Sequence, residues 1–303
     1  MSQKMYTKTY SALYIILGAV SYASAGVLLE LSKQKGYFLQ NTIISIYLFA
    51  FVFLFLLFSL SKKVTASLSQ KQKVLYVIFG IFNLLITYCF YSTLHHYSVP
   101  VATLLLMQSA WITPLIDCIL NKRKPNISQI ISMLAIVFGV YVASGGAHQF
   151  DHLSIHGLLW GLGSAVSYSA LIISSTYVAK GKSSLEKFLF SAFGAFIFAV
   201  FIFHTHTTIN LVSYESLWAG SYAIFAIILP LSLISMGMSH TSPHLAGLLI
   251  TLEIPAAYFL SYIFLNSTIN YNQIIGCLII TSTIVIQQLL NALHSNELKN
   301  TLD

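Results

Sequence analysis

Charge is what this chain of 303 residues has least of: 8% is charged and 57% is hydrophobic, against about 25% charged in soluble proteins. So few charges cannot cover a water-facing surface, and no polar stretch is long enough to hold a soluble domain. Cysteine is nearly as scarce. Cys89, Cys118 and Cys277 lie singly in apolar runs without metal-ligand spacing, which argues against a disulfide framework or a thiolate metal site and leaves them as small buried hydrophobes. Arginine occurs once, as Arg123, beside 14 lysines, a bias that suits an AT-rich bacterial source. Also missing are a glycine-rich phosphate loop, a His-Glu-x-x-His pair and a nucleophile elbow. No enzyme chemistry, metal or cofactor is therefore assigned. The net charge of +7 is accounted for by lysines at an anionic lipid leaflet and asks for no nucleic acid.

What the chain has in abundance is apolar length. A spanning helix needs roughly 20 apolar residues and must satisfy its backbone internally. Hydropathy places ten helices near residues 10–31, 38–60, 74–94, 99–120, 127–145, 155–178, 186–203, 217–238, 243–265 and 271–292, so the expected fold is an all-α integral membrane protein. Polar or Gly/Pro-bearing breaks such as "SKQKGY", "NKRKPN" and "KGKSS" separate them, and most are short enough to make neighbouring helices antiparallel. The opening "MSQKMYTKTY" puts two lysines ahead of an apolar run longer than a signal-peptide core, and reads as the start of a retained first span.

Basic residues orient the spans. With the N-terminus inside, Lys4, Lys8, Lys62, Lys63, Lys71, Lys73, Lys122, Arg123, Lys124, Lys180, Lys182, Lys187 and Lys299 are cytoplasmic, and only Lys33 and Lys35 lie outside. Ten spans with both termini cytoplasmic preserve that segregation. An odd number would scatter it.

The chain also repeats itself. "GAVSYASAG" (Gly18–Gly26) returns as "GSAVSYSAL" (Gly163–Leu171), and "HHYSVPVATLLL" (His95–Leu106) as "SHTSPHLAGLLI" (Ser239–Ile250), at nearly one offset. Five spans per half turn the second copy over relative to the first, so residues 1–147 and 148–303 form two inverted five-helix repeats. Two similar halves with interchangeable conformations suit alternating access around one midplane site.

The segment "AGLLITLEIPAAYFLSYIFLNSTINYNQIIGCLII" (Ala246–Ile280), with a weaker echo in "ATLLLMQSAWITPLIDCILNKRKPNISQIISMLAIVFGV", resembles the EamA-like family of the drug/metabolite transporter superfamily. The resemblance covers essentially the whole chain. It implies that helices 1, 3, 4, 6, 8 and 9 line a central cavity, with helices 5 and 10 peripheral.

Glu253 falls near the middle of the ninth predicted helix, at least ten residues from each end, where an ionisable group costs about 2.5–3.5 kcal/mol on insertion scales. Desolvation there favours its neutral form, so it can exchange a proton or bind a cationic group; tethering the backbone near Pro255 is the alternative. Glu30 is three residues from Lys33, and Asp117 lies one turn before "NKRK"; both suit interfacial ion pairs. Tyr22 and Tyr168, the aromatic members of the repeated phrase, sit among small residues that let helices approach closely. They are expected either to line an amphipathic site or to pack with satisfied hydroxyls. Tyr88, Gln108 and Trp111 complete the candidate substrate site, the last two one turn apart. Ser109 is the first-half equivalent of Glu253, so the acid has no counterpart. Seven histidines fall on the expected outer side, His95, His96, His148, His152, His156, His204 and His206. Three of them are spaced by four, but Gly145 and Gly146 favour a turn there, and polar loop residues without a joint role explain them best.

The resulting expectation is a secondary active transporter in the bacterial inner membrane. It would move a small polar or amphipathic metabolite, in the first place an amino acid or related compound, with protons as an open choice of coupling ion. The partners are that small molecule and the lipid bilayer, and a monomer or a homodimer fits equally. An exporter of cationic or toxic compounds, and a membrane-embedded enzyme or receptor, stand as alternatives.

Overall fold

The structure, a computed structural model, describes residues 2–37, 39–61, 67–125, 127–143, 154–179, 182–203, 213–238 and 249–300. Every regular element among them is helical: α1 Ser2–Gln34, α2 Leu39–Leu60, α3 Gln70–Thr93, α4 Val99–Leu106, α5 Ser109–Leu120, α6 Ile127–Ala143, α7 Ile155–Tyr177, α8 Ser184–Phe203, α9 Tyr214–Tyr222, a π-helical segment Ala223–Ile228, α10 Leu229–Met238, α11 Glu253–Leu265 and α12 Tyr271–Asn300. Seven stretches are long and apolar enough to cross a bilayer, and the shorter apolar helices Ile127–Ala143, Glu253–Leu265 and Tyr271–Gln287 accompany them. Lipid explains the outward faces. Ile131, Leu134 and Phe259 are exposed within helices, as a bilayer-solvated surface permits.

Three expected helices are not continuous. The 99–120 stretch breaks at Met107–Gln108, where the Gln108 amide reaches back to the Leu104 carbonyl (3.0 Å) while its own backbone N–H shifts to Leu105 (3.1 Å). A side chain has entered the ladder. The ninth stretch turns at Thr251–Leu252 before α11 begins. Pro255 has no N–H for the Thr251 carbonyl, which accepts from Ile254 at 3.1 Å instead. Glu253 therefore opens a helix and does not sit in the middle of one. The eighth stretch holds a wide turn at Ala223–Ile228, and Ser21 of α1 donates to its Phe225 carbonyl at 2.6 Å.

The two breaks are copies. Gln108 N–H to Leu105, Ala110 to Met107 and Ile112 to Gln108 recur 144 residues later as Leu252 to Leu249, Ile254 to Thr251 and Ala256 to Leu252. Left-handed backbone repeats as well: Gly36 (φ 77°) answers Ala179 (φ 55°), and Lys122 (φ 52°) answers Asn266 (φ 49°). Two similar helical units thus recur down to individual turns.

Packing runs mainly between the units. α3 lies against α7 and α8, α1 against α10 and α11, α2 against α8 and α9, α4 and α5 against α7, and α6 against α12. Each of these pairings except α4 against α7, whose counterpart lies outside the described residues, maps onto another, or onto itself, when the units are exchanged. Glycine makes the tightest of them possible. A Cβ on Gly194 of α8 would overlap the Val77 carbonyl of α3, and one on Gly80 of α3 would overlap the α8 backbone at Ser191 and Gly194.

One carboxylate is buried at the expected cytoplasmic end. Glu186 of α8, 1% exposed, accepts from the Leu68 N–H (2.7 Å) and the Ser67 hydroxyl (3.1 Å) and pairs with Lys73 of α3 at 3.4 Å. Lys73 also stands over the Phe190 ring, and Lys187 over Tyr76. The opposite end carries the exchanged version: Thr42 of α2 donates to Glu215 of α9 at 2.9 Å. The start of the second span in one unit meets the start of the third span in the other, at both ends.

Candidate functional site

Glu253 is 3% exposed, and among the described residues its carboxylate has no hydrogen bond and no ion pair. It faces a small cavity, which α1 walls with Tyr22, Ala23, Ala25 and Gly26, α3 with Ile86, Thr87 and Phe90, α4 with Thr103 and Leu106, and α9 with Tyr222. The space is narrow, with room at its centre for a body the size of water. As the first residue of α11, Glu253 also occupies the positive end of a helix dipole, which favours a negative group there.

Local sequence explains why these side chains meet. The small residues of "GAVSYASAG" bring α1 close to its neighbours: a Cβ on Gly26 would strike Val99 and crowd Phe90, and one on Gly18 would strike Ile234. Tyr22 is thereby carried onto Tyr168 of α7, ring centroids 6.3 Å apart and planes 21° from parallel. Both tyrosines lie within electrostatic reach of Glu253. Behind the cavity, the Tyr47 hydroxyl donates to the Asn83 carbonyl (2.5 Å) and shares a hydrogen bond with Thr87 (2.7 Å), while the Asn83 amide donates to Ser191 (2.8 Å).

Of the six candidate residues, Tyr22, Tyr168 and Glu253 come together. The other three are elsewhere. Tyr88 points to a different aromatic cluster, edge-on to Trp160 (5.7 Å) and stacked on Phe203 (5.9 Å). Gln108 is buried and accepts from the Trp111 indole N–H at 2.9 Å, so the two polar groups satisfy each other. Trp111 borders a second cavity with Pro114, Gln129, Met133 and Gln287. Tyr222, Tyr47 and Thr87 were not among the candidates. Tyr222 carried a legible signal, because "GSYA" at Gly220–Ala223 is a third Ser-Tyr step among small residues.

The remaining ionisable residues stand at helix ends. Glu30 pairs with Lys33 at 2.6 Å, and Lys33 also donates to the Leu94 carbonyl. Asp117 pairs with Arg123 and accepts from Tyr177 and Asn121. Among the outer histidines, His96 bonds Ser154 (2.9 Å) and lies 6.5 Å from the His156 ring, and His95 meets the Tyr91 ring edge-on at 5.1 Å. His148, His152, His204 and His206 lie outside the described residues. No group of three metal-ligating side chains occurs among the described residues.

A solved crystal structure superposes with a TM-score of 0.66 at 15% identity, covering 92% of this chain and 98% of its own; at that identity it speaks for the fold alone. No curated protein matches the chain. The profile of the EamA-like transporter family matches residues 9–145 and again 155–287, one copy on each set of repeated turns. The chain therefore belongs to the EamA-like transporter family of the drug/metabolite transporter superfamily, as a multi-pass membrane transporter.

Proposed function

We propose that this transporter moves a small polar or amphipathic metabolite, an amino acid or related compound, across the bacterial inner membrane by alternating access, with Glu253 exchanging the coupling proton. The observation that carries the proposal is an acid buried at a helix break, without a protein partner among the described residues, on the wall of a cavity built by both repeats. A carboxylate left unpaired at that depth gains most from binding something that neutralises it. Among the described residues, the titratable groups near it are the phenols of Tyr22, Tyr168 and Tyr222. Helix breaks beside the site suit the rocking of one repeat against the other, since irregular backbone at membrane depth belongs where it lines a cavity.

The topology proposed with it is ten spans in inverted units divided at 147/148, both termini cytoplasmic. Single cysteines at Lys35 and Lys71, both exposed, are expected to react with an impermeant reagent from opposite sides; labelling from one side would refute the topology. In proteoliposomes, an imposed proton gradient is expected to drive uptake from an amino-acid mixture. Glu253→Gln is expected to remove the dependence on the gradient, and gradient-driven flux that persists in this variant would refute the coupling.

A further inference from the structure

We infer that the crevice between α5, α6 and α12 holds an anionic phospholipid, with its phosphate on Lys122 and Lys124, its glycerol ester at Gln287 and an acyl chain along Met133 and Trp111. The site is separate from the Glu253 cavity, and the inference stands whatever that cavity carries.

Side-chain size opens the crevice. α6 and α12 touch through glycine at one end: a Cβ on Gly139 would lie 2.6 Å from Ile280, and one on Gly276 would lie 2.5 Å from Ala143, so the backbones approach closely there. Toward the Gln287 end the longer side chains of Gln129 and Met133 line the gap, and α5 closes its third side with Trp111 and Pro114. The flanking Ile119, Ile131 and Ile286 are exposed, as residues that meet lipid are.

One polar side chain in this crevice has no partner. Gln287 is 8% exposed, lines the gap, and makes no hydrogen bond among the described residues. Gln129, by contrast, is engaged, with the Cys118 thiol donating to its Oε1 at 3.8 Å. A buried amide without a partner is costly, and at bilayer depth no bulk water relieves it. An ester or phosphate oxygen of a lipid can accept from the Gln287 amide. Gln287 is also the last residue of the apolar stretch Tyr271–Gln287, which sets it at the depth where hydrocarbon gives way to headgroups.

Charge is the second ground. The wall of the crevice continues to Pro125, and the residues before it read "NKRK". Arg123 is paired with Asp117, whereas Lys122 and Lys124 are exposed and carry no ion pair among the described residues. Basic groups at the mouth of a gap between spanning helices suit acidic headgroups. From mouth to floor the crevice therefore offers ammonium groups, an unpaired amide and an apolar run that reaches Trp111, about 14 Å along α5 from Leu120. A phospholipid presents phosphate, ester and chain in the same order. A zwitterionic lipid brings its own cation to the lysines and gains less from them.

The test is native mass spectrometry of the full-length protein in detergent, titrated with phosphatidylglycerol and phosphatidylcholine of identical chains. Two lysines correspond to about a thirtyfold preference for the anionic lipid. Lys122→Gln combined with Lys124→Gln is expected to remove most of that preference and to leave phosphatidylcholine binding unchanged. Gln287→Leu is expected to weaken both lipids about tenfold. Lys71→Gln combined with Lys182→Gln removes equal charge elsewhere and should alter neither. Phosphatidylglycerol should also raise the melting temperature of the unmodified protein more than that of the Lys122 and Lys124 double variant, a readout that serves if Gln287→Leu does not fold. Equal retention of the two lipids overturns the inference, as does the absence of bound lipid. A preference untouched by the Lys122 and Lys124 changes, or lost equally in the Lys71 and Lys182 variant, overturns it too. So does a mass of twice the chain that Gln287→Leu abolishes, which would put a second copy on the crevice. None of these substitutions touches the Glu253 cavity, so the transport reading stands or falls separately on its own flux measurement.

Discussion

Tyr47 shows what a single hydroxyl does at the back of this cavity. It holds the Asn83 carbonyl and Thr87 together while 3% exposed. Tyr47→Phe would remove the phenol from the Asn83 carbonyl and leave it the longer bond from the Thr87 hydroxyl (3.3 Å), a loss of about 0.5–1.5 kcal/mol. Thermal unfolding in detergent is expected to show that loss. Gln108→Leu should likewise lower the melting temperature, by stranding the Trp111 indole. His95 gives a pH prediction. Partial burial first, then the Lys33 ammonium and His96, hold its imidazole below the usual histidine range. The folded state then binds fewer protons than the unfolded one, so the contribution of His95 is present above about pH 6.5 and drains as the pH falls through its lowered value. His95→Gln is expected to flatten that part of a melting-temperature profile. Residue by residue, the sequence made Glu253 and the Tyr22–Tyr168 pair legible because they break a pattern: an acid in an apolar run, and a repeated phrase. Tyr47 broke none, since its role depends on Asn83, 36 positions away.

Helix existence was legible from hydropathy, but the breaks were not. Nothing in "LLLMQSAW" announces that the Gln108 amide will take the Leu104 carbonyl, because any glutamine in a helix could do so and most do not. Pro255 was visible, yet a proline in the first turn after a break and one that kinks a continuous helix leave the same sequence. Repetition suggests a substitution. Ala179 holds φ 55° where the other unit has Gly36, and a side chain in that region costs about 1–2 kcal/mol. Ala179→Gly is expected to raise stability by about 0.5–1 kcal/mol after the larger entropy of the unfolded glycine is counted, as a higher melting temperature. Glu186→Ala should do the opposite. Removing it leaves the Leu68 N–H without its acceptor and Lys73 without its partner, a loss of about 3 kcal/mol for a buried network. The same change frees the contact between α8 and the start of α3.

At the scale of the whole molecule, the units do not behave as separate bodies. The closest helix pairs join one unit to the other, and the cavity takes walls from both. No soluble two-domain picture predicts this, because sequence repeats fix what is similar and leave open what touches. Packing across the units also orders events during synthesis. When residues 1–147 have entered the membrane, α1, α2 and α3 have not yet met the helices they pack against. At about 5–20 residues per second, the remainder arrives on the order of ten seconds later. For that interval Gly18 of α1 and Gly80 of α3, which pack on helices of the second unit, lie open to lipid and to membrane proteases. A ribosome stalled after the first unit therefore leaves a species prone to degradation, and supplying the second unit as a separate chain offers it the partner it lacks.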